Sequence, residues 1–195
     1  MQRLYHPFLP GSRLRAKMAQ NREVCTIVNN EEKNTYVKKQ ITDALLKLLE
    51  QHEFSEISIS QITEYAKVSR NSFYRNYSNK EDILLKYIRR LFLDWDAEYK
   101  KQSQSSNANL YGSLFQHLSD NKEFYLLLKK RNLFHLFLTV LLEQSGPKPE
   151  HDNTWAYITA FIAYGTYGWI EEWVARGMQE SGEEMAAFLA SHGMK

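Results

Sequence analysis

Side chains with the chemistry of DNA recognition are concentrated between residues 70 and 80. The group that could read base edges is Arg70, Asn71, Ser72 and Arg75. Arginine donates paired hydrogen bonds to guanine, and asparagine forms a pair of hydrogen bonds with adenine. Arginine, asparagine and serine side chains also reach phosphate oxygens. Residue types that typically hold the phosphate backbone are interleaved with them and follow them: Tyr74, Tyr77 and Lys80. This segment predicts recognition of double-stranded DNA.

Two short helices joined by a tight turn are needed to position these side chains. The first is expected from about Ser58 to Lys67, with Ile59, Ile62, Tyr65 and Ala66 directed inward. Val68 would fill the turn, and Ser69 is a natural N-cap for a second helix that ends near residue 76. In a helix-turn-helix the second helix lies in the major groove, so the arrangement fits the chemistry.

Two further helices bracket this motif. Apolar residues repeat with the helical period from Thr35 to Gln51, which predicts an amphipathic helix there. Ser78 and Glu81 have the spacing of a capping box, which would begin a long helix.

The motif resembles the signature of the TetR/AcrR family of transcriptional regulators. The matching positions, in the family's order and without a gap, are Ile62, Ala66-Lys67-Val68-Ser69, Phe73-Tyr74, Tyr77 and Lys80-Glu81. The likeness covers residues 35–85, about a quarter of the chain. Lys67 stands in place of the usual turn glycine and Thr63 in place of the usual alanine. A lysine can adopt the turn conformation at modest cost, so neither departure removes the likeness.

The resemblance implies a set of DNA-contact positions, namely Ser58, Ser69, Arg70, Asn71, Ser72, Tyr74, Arg75, Tyr77 and Lys80. Other roles are open for three neighbouring positions. Phe73 falls on the inward face and is expected in the core. Tyr77 is either a core residue or a phosphate contact, and Arg75 either contacts DNA or is solvated.

The predicted fold is all-α, with an N-terminal three-helix helix-turn-helix DNA-binding domain and a C-terminal helical ligand-binding and dimerisation domain. The expected divisions are a basic, flexible tail at residues 1–33, the DNA-binding domain at 34–80, and the helical domain at 81–195. The first 22 residues hold five basic and no acidic side chains. The tail is therefore either disordered or a basic arm that reaches DNA beside the main contact.

Charge is distributed as DNA binding requires. The net charge of the chain is only +2, but residues 67–90 hold seven basic and two acidic side chains. The positive field therefore lies on the helix-turn-helix.

The same resemblance implies a homodimer, formed as a four-helix bundle by the last two helices of each copy. The positions that would form this interface are Phe161, Gly165, Gly168, Trp169, Trp173, Phe188 and Leu189. The run YGTYGWIEEWVARGMQESGEEMAAFL also looks like the C-terminal region of the subgroup that includes dihydroxyacetone kinase regulators.

A pocket for a small effector is the other implied feature of the C-terminal helices. Its candidate lining is Tyr111, Phe115, Phe124, Tyr125, His135, Trp155 and Tyr164. An aromatic-rich stripe on a helix is more often plain core. His117 and His135 have no neighbouring ligand or acid in the sequence, which argues against a catalytic or metal-binding role.

Several classes of protein are disfavoured. The single cysteine, Cys25, cannot form an internal disulfide, which favours a reducing, cytoplasmic setting. No segment has the continuous apolar length of a membrane span. No nucleophile–base pair, phosphate loop or metal-ligand motif is visible, so neither an enzyme, a metal site nor a cofactor is expected.

The sequence thus predicts a dimeric repressor that binds a palindromic operator and responds to an unknown small-molecule effector. The alternative is a TetR-like protein-interaction module that acts through a protein partner rather than a small ligand.

Overall fold

Helices account for all the regular structure in the described part of the chain. The structure is a computed structural model, and it describes the backbone of residues 11–101 and 107–192 and the side chains of residues 31–101 and 110–191. Nine α-helices lie within these ranges: α1 (Gly11–Gln51), α2 (Ile59–Tyr65), α3 (Arg70–Asn76), α4 (Lys80–Lys101), α5 (Asn107–Asp120), α6 (Lys122–Lys130), α7 (His135–Ser145), α8 (Asn153–Ala175) and α9 (Gly182–His192). A 3-10 turn, Phe54–Glu56, precedes α2.

Helix α1 begins much earlier than the apolar period predicted. It starts at Gly11 rather than near Thr35, so residues 11–33 are helical and not an irregular tail. The prolines Pro7 and Pro10 precede this start, and the residues that follow are rich in arginine, alanine and lysine, which favour helix. The apolar period begins only near residue 35, so the sequence pattern did not reveal this earlier start. Residues 1–10 of the predicted tail lie outside the described part of the chain.

The first four helices share an apolar core. Its members from α1 to α4 include Ile41, Leu45, Ile62, Phe73 and Ile83, each with no exposed surface. Full burial of a side chain of this size stabilises the fold by about 1.5–3 kcal/mol. Because α3 buries only one face in this core, its other side stays open to solvent.

Helix α4 connects the helix-turn-helix to the rest of the chain. Its first half buries Ile83, Leu84 and Ile88. Its second half carries Trp95, whose indole Nε1 donates a hydrogen bond to Ser113 Oγ of α5 at 2.9 Å. The two predicted domains meet where α4 begins, and one continuous apolar cluster runs through both.

The capping residues of α4 differ by one position from the predicted box. Asn79 Oδ1, not the Ser78 hydroxyl, accepts the hydrogen bond of a first-turn backbone N–H, that of Asp82, at 2.8 Å. Asp82 in turn accepts from the backbone N–H of Ser78 at 2.9 Å. Asparagine and serine are comparable N-caps, so the sequence motif alone could not separate these two registers.

Helices α5 to α9 form the C-terminal body, in which α5 packs on α9, and α7 packs on α4 and α8. Tyr125, Phe134 and Phe137 form an aromatic cluster with ring centroids 5.5–6.5 Å apart. At Gly182 a β-carbon would lie 2.8 Å from the backbone nitrogen of Gln116, so only glycine permits this approach of α9 to α5.

Lys67 has the left-handed backbone that its position in the turn demands, with φ of 54°. Left-handed backbone costs a residue with a β-carbon about 1–2 kcal/mol. Replacing Lys67 with glycine is therefore expected to raise the free energy of unfolding by about 0.5–1 kcal/mol, after allowance for the greater freedom of glycine in the unfolded chain. Chemical denaturation measures this. Lys67→Ala removes the same charge but keeps the β-carbon, and an equal gain in that control would contradict backbone strain as the cause.

Candidate nucleic-acid interface

The turn between α2 and α3 fixes the angle at which α3 leaves the core. Val68 N–H donates to the Thr63 carbonyl at 3.0 Å, which closes the turn. Ala66 is 5% exposed, so its small side chain allows the two helices to approach. Ser69 Oγ accepts the backbone N–H of Ser72 at 3.1 Å and caps α3. The N-terminus of α3 therefore points out of the molecule with its first turn held in place.

The outward face of α3 carries most of the predicted base-reading residues. Arg70, Asn71, Tyr74 and Arg75 are exposed, and Ser72 is half-buried. Arg70 donates to Ser60 Oγ of α2, and Arg75 donates to Ser72 Oγ at 3.1 Å. Both guanidinium groups are held by hydroxyls that are weak partners for a charge, so both are available to a base or a phosphate. Phe73, on the opposite side, is fully buried, as expected for the core.

Ser58 occupies the start of α2 as a capping residue. Its hydroxyl accepts the backbone N–H of Gln61 at 3.2 Å, and the Gln61 side chain accepts from the Ser58 backbone N–H at 2.8 Å. This capping box holds the helix that braces α3.

Tyr77 faces the core and not the solvent. It is 5% exposed, and its hydroxyl lies 3.4 Å from Thr42 Oγ1 and 3.4 Å from the Lys38 carbonyl oxygen, both on α1. Burial raises the pKa of this phenol above its ordinary value. Of the two roles left open by the sequence, this geometry matches the core residue.

Lys80 is engaged within the protein rather than free to hold a phosphate. Its ammonium donates to the carbonyl oxygens of Phe54, of Ser55 at 3.3 Å and of Ile57 at 2.8 Å, and lies 4.5 Å from the centre of the Phe54 ring. Burial lowers the pKa of this ammonium. Lys80 therefore anchors the loop between α1 and α2 to the start of α4.

Replacing Lys80 with methionine is expected to lower the free energy of unfolding by about 1.5–3 kcal/mol, because carbonyl groups that bonded to a charged donor lose their partner. Binding of duplex DNA should keep its dependence on salt concentration. If Lys80 instead held a phosphate, the slope of log K against log salt would fall in magnitude by about 0.9 for each protomer bound. Lys100→Met, which removes an exposed ammonium from the far end of α4, is the control.

Lys86 is a positioning residue that the sequence did not indicate. Its ammonium donates to the Asn76 carbonyl at the C-terminus of α3 at 2.8 Å and to Asp82 at 2.9 Å, and lies 5.3 Å from the centre of the Tyr77 ring. The sequence does show that Asp82 and Lys86 are four residues apart, the spacing of an ion pair on one helix. That spacing does not reveal the hydrogen bond from Lys86 to α3.

The predicted effector-pocket residues do not meet in one cavity. Tyr125 and Phe115 are 1% exposed and belong to the core. His135, Trp155 and Tyr164 are exposed, with Trp155 and Tyr164 on α8. Phe124 lines a wide groove between α1 and α6 instead. An aromatic residue type does not distinguish core from cavity wall, so these positions could not be sorted from sequence.

A smaller cleft unites Tyr111 and Phe115 with residues predicted for the dimer interface. Its volume is about 300 Å³, and its lining consists of Tyr111, Phe115, Phe161, Gly165, Thr166, Trp169 and Leu189. The Tyr111 hydroxyl lies 3.3 Å from Thr166 Oγ1. These two hydroxyl groups are polar positions in a lining that is otherwise mostly apolar.

Some of the residues predicted for the dimer interface lie on the exposed side of α8 and α9, and others lie on the side that faces the core. Phe161 is 68% and Phe188 46% exposed. A β-carbon at Gly165 or Gly168 would meet no atom within 4 Å, so these glycines face open space. Trp169 and Leu189 are half-buried. Trp173 is 2% exposed and packs edge-on against Phe115 of the same chain at 5.5 Å, because it shares the inward face of Thr166 and Ile170.

Membrane spans and metal clusters are both absent from the described part of the chain. No described helix has both the length and the apolar character needed to cross a membrane. No group of three or more His, Cys, Asp or Glu side chains in the described part of the chain could hold a metal ion.

Two family models match the chain over the regions described above. The model of bacterial regulatory proteins of the tetR family matches residues 41–87, from the second half of α1 into α4. The model of the transcriptional regulator C-terminal region named TetR_C_8 matches residues 105–191. The chain belongs to the TetR family. It is therefore a transcriptional regulator with a DNA-binding helix-turn-helix, and not an enzyme.

A curated relative of this TetR-family chain is the HTH-type dhaKLM operon transcriptional activator DhaS of Lactococcus lactis subsp. lactis (strain IL1403). The two are 27% identical over 118 residues, which is 56% of this chain and 58% of the relative. The match thus spans less than two thirds of the relative's length.

Solved structures of TetR-type regulators share the fold. The TetR transcriptional regulator from Streptococcus agalactiae 2603V aligns with a TM-score of 0.57 at 17% identity, over 87% of this chain and 99% of that one. The fatty acid degradation regulator FadR from Bacillus halodurans aligns with a TM-score of 0.53 at 16% identity, over 82% and 96% of the two chains. At these identities the likeness concerns the fold alone.

Proposed function

We propose that this TetR-family regulator acts as a homodimer that binds a palindromic operator through α3. The observation that carries this proposal is the outward face of α3, where Arg70, Asn71 and Arg75 are exposed. Phe73 on the opposite face is buried in the core and holds the helix in this orientation. Such a face matches the width and the donor–acceptor pattern of the major groove.

The homodimer is supported by the composition of α8. Its inward face buries Ala163, Ile170 and Trp173, yet its outward face is also apolar, with Tyr157 71%, Phe161 68% and Tyr164 55% exposed. A helix that is apolar all round is normally buried all round. A second copy of α8 and α9 would cover this surface and complete a four-helix bundle.

A two-fold dimer also explains how the chain would read DNA. The two α3 helices must lie about 34–36 Å apart, one turn of the duplex, to enter successive major grooves. The operator is then an inverted repeat whose half-sites have that spacing. Access to such DNA implies a cytoplasmic location.

For control by a small effector we propose the 300 Å³ cleft between α5, α8 and α9. Its size suits a small, mostly apolar molecule, and the Tyr111–Thr166 hydroxyl pair offers one hydrogen-bonding point. Phe161 and Gly165 belong both to this cleft and to the proposed dimer face, so a bound molecule would alter the pairing of the two copies. An effector that prefers one pairing shifts the population of operator-competent dimers.

The sign of regulation has two candidates. Repression follows if the dimer simply occupies a promoter, as the sequence predicted. Activation is favoured by the curated relative, which is a transcriptional activator. A reporter driven by the chain's own upstream DNA, with and without the regulator, distinguishes them: expression falls for a repressor and rises for an activator.

The experiment that tests DNA binding is a gel shift of the purified protein on duplexes from its own upstream region. We expect a discrete complex that survives excess competitor DNA and that forms on an inverted repeat but not on a half-site of the same length. Equal binding to scrambled duplexes at low salt would contradict the proposal, since phosphate contacts alone give binding without sequence preference.

A further inference from the structure

The chain passes from the helix-turn-helix into the C-terminal body through helix α4. Helix α1 packs on α4, and α4 in turn packs on α7 and on α5, where Trp95 bonds to Ser113. The contacts of α4 therefore set the distance between the two parts. A direct attachment of α1 to a helix of the body other than α4 would add a further constraint on their orientation.

Arg131 provides such an attachment. It follows α6, and its guanidinium reaches α1, about 80 residues earlier in the chain. Nε donates to the Leu49 carbonyl at 2.6 Å, Nη2 donates to the Glu50 carbonyl at 3.0 Å, and Nη1 pairs with the Glu53 carboxylate. All three donor nitrogens are thus bonded to the end of α1 or to Glu53, two residues beyond it.

The contact suits the chemistry of both partners. The last carbonyls of a helix have no partner within the helix, and basic side chains satisfy them well. Guanidinium presents its donors in a rigid planar fork, so three simultaneous hydrogen bonds specify an orientation as well as a distance. The Arg131 side chain is only 9% exposed, so it is ordered by its surroundings and shielded from water.

Helix α6 connects the Arg131 contact to helix α8 and to the turn between α8 and α9. Lys122 at its start donates to the Met178 carbonyl, in the turn after α8, at 2.6 Å. Lys129 near its end pairs with Glu171 of α8 at 3.0 Å. Nine residues of helix, about 13 Å, therefore separate the anchor on the α8–α9 turn from the anchor on α1.

Apolar packing between α1 and α6 is incomplete beside Arg131. A groove of about 950 Å³ opens there, lined by Leu46 and Glu50 of α1 and by Phe124, Leu127 and Lys130 of α6, among others. Because this space is open, apolar packing between α1 and α6 is limited on this side, although Phe124 of α6 packs edge-on against Tyr87 of α4 at 4.9 Å. The polar contact of Arg131 adds a directional constraint between α1 and α6.

We propose that Arg131 is a positioning residue for operator recognition: it fixes the orientation of the helix-turn-helix against the α8–α9 body without touching DNA. The proposal rests on operator binding by a dimer, as proposed above. With Arg131 in place, the two α3 helices keep one separation. Without it, each helix-turn-helix samples several orientations about α4, and only a fraction of dimers match the operator.

The test compares Arg131→Gln with Arg131→Lys and Glu53→Gln. Spin labels at Glu64→Cys in α2 and Glu150→Cys in the loop before α8, both exposed in the native chain, report the orientation within one chain when Cys25 is replaced by serine. Labelled protein is diluted with unlabelled protein so that only distances within a chain are measured.

We expect a narrow distance distribution in the parent protein and a broadened or shifted one in Arg131→Gln. Operator affinity should fall by about 10-fold, with the salt dependence and the affinity for scrambled DNA unchanged, because no phosphate contact is lost. Arg131→Lys should restore part of the affinity. Glu53→Gln should resemble the parent, since both carbonyl bonds remain.

An unchanged distance distribution in Arg131→Gln and in Arg131→Lys would overturn the proposal. So would an equal loss of affinity for operator and scrambled DNA, which indicates general damage. The distance measurement needs no DNA, so it decides the role of Arg131 even if the parent protein fails to bind its upstream DNA. If Arg131→Gln does not fold, both measurements are made on Arg131→Lys, and a parent-like distance distribution and operator affinity in that variant would overturn the proposal.

Discussion

Replacement of Phe161 with glutamate is expected to prevent formation of the proposed homodimer and to lower operator affinity by about 100-fold or more. Phe161 is 68% exposed in the single chain and lies on the outward face of α8. A glutamate there would be harmless in a monomer, but in the proposed four-helix bundle it would be an unpaired charge in a desolvated interface. Loss of the second half-site contact removes the gain from two linked binding events, which is typically 100-fold to 10,000-fold.

Analytical ultracentrifugation and titration of the operator duplex measure the two effects. Leu93→Glu is the matched control, because Leu93 is 47% exposed but lies on α4, outside the proposed interface. This control should remain a dimer and bind normally. A Phe161→Glu protein that sediments as a dimer and retains its operator affinity would show that the outward face of α8 is not the interface.

Replacement of Arg70 with alanine is expected to weaken operator binding by about 10- to 100-fold while the melting temperature stays the same. A bidentate contact between arginine and a base contributes about 1–3 kcal/mol of discrimination. Arg70 is exposed, and its hydrogen bond in the free protein is to the hydroxyl of half-buried Ser60, a neutral partner, so its removal should cost little folding free energy. Affinity for scrambled DNA should fall much less than affinity for the operator.

Arg90→Ala provides the comparison for Arg70→Ala. Arg90 is also an exposed arginine, with 70% of its side chain accessible, and it pairs only with Asp94 one turn along α4. Its loss should leave the ratio of operator to scrambled affinity unchanged. If Arg70→Ala lowers both affinities equally, Arg70 holds a phosphate and does not read a base.

The sequence was sufficient to predict the helix-turn-helix because its signals are local. The cap at Ser69, the inward Phe73 and the turn at Lys67 each depend on residues within one or two helical turns, and the described structure has all three. The family resemblance added the all-α architecture and the class of regulator, which the family models also give.

The features that the sequence did not reveal depend on contacts between distant residues. Lys80 bonds to carbonyls more than 20 residues away, and Arg131 to carbonyls about 80 residues away. Helical periodicity indicates which face of a helix turns inward, but not which backbone groups that face will meet. Backbone carbonyls carry no sequence signature, so lysines and an arginine that bond to them look like ordinary surface charges.

The same limit explains the dispersed pocket residues. Tyr125 and Trp155 are both aromatic residues on helices, yet one has 1% and the other 52% of its surface exposed. Whether an aromatic residue packs in the core, lines a cleft or faces outward is decided by the neighbouring helix, and helix pairing was not encoded in any local motif.

The apolar outward side of α8 has a consequence for how the amount of this regulator affects its target. The proposed homodimer would cover Tyr157, Phe161 and Tyr164, so the melting temperature should rise with the concentration of the protein itself. While most chains are still monomeric, the number of dimers, and with it operator occupancy, would grow roughly with the square of the number of chains. A modest change in synthesis would then produce a larger change in transcription.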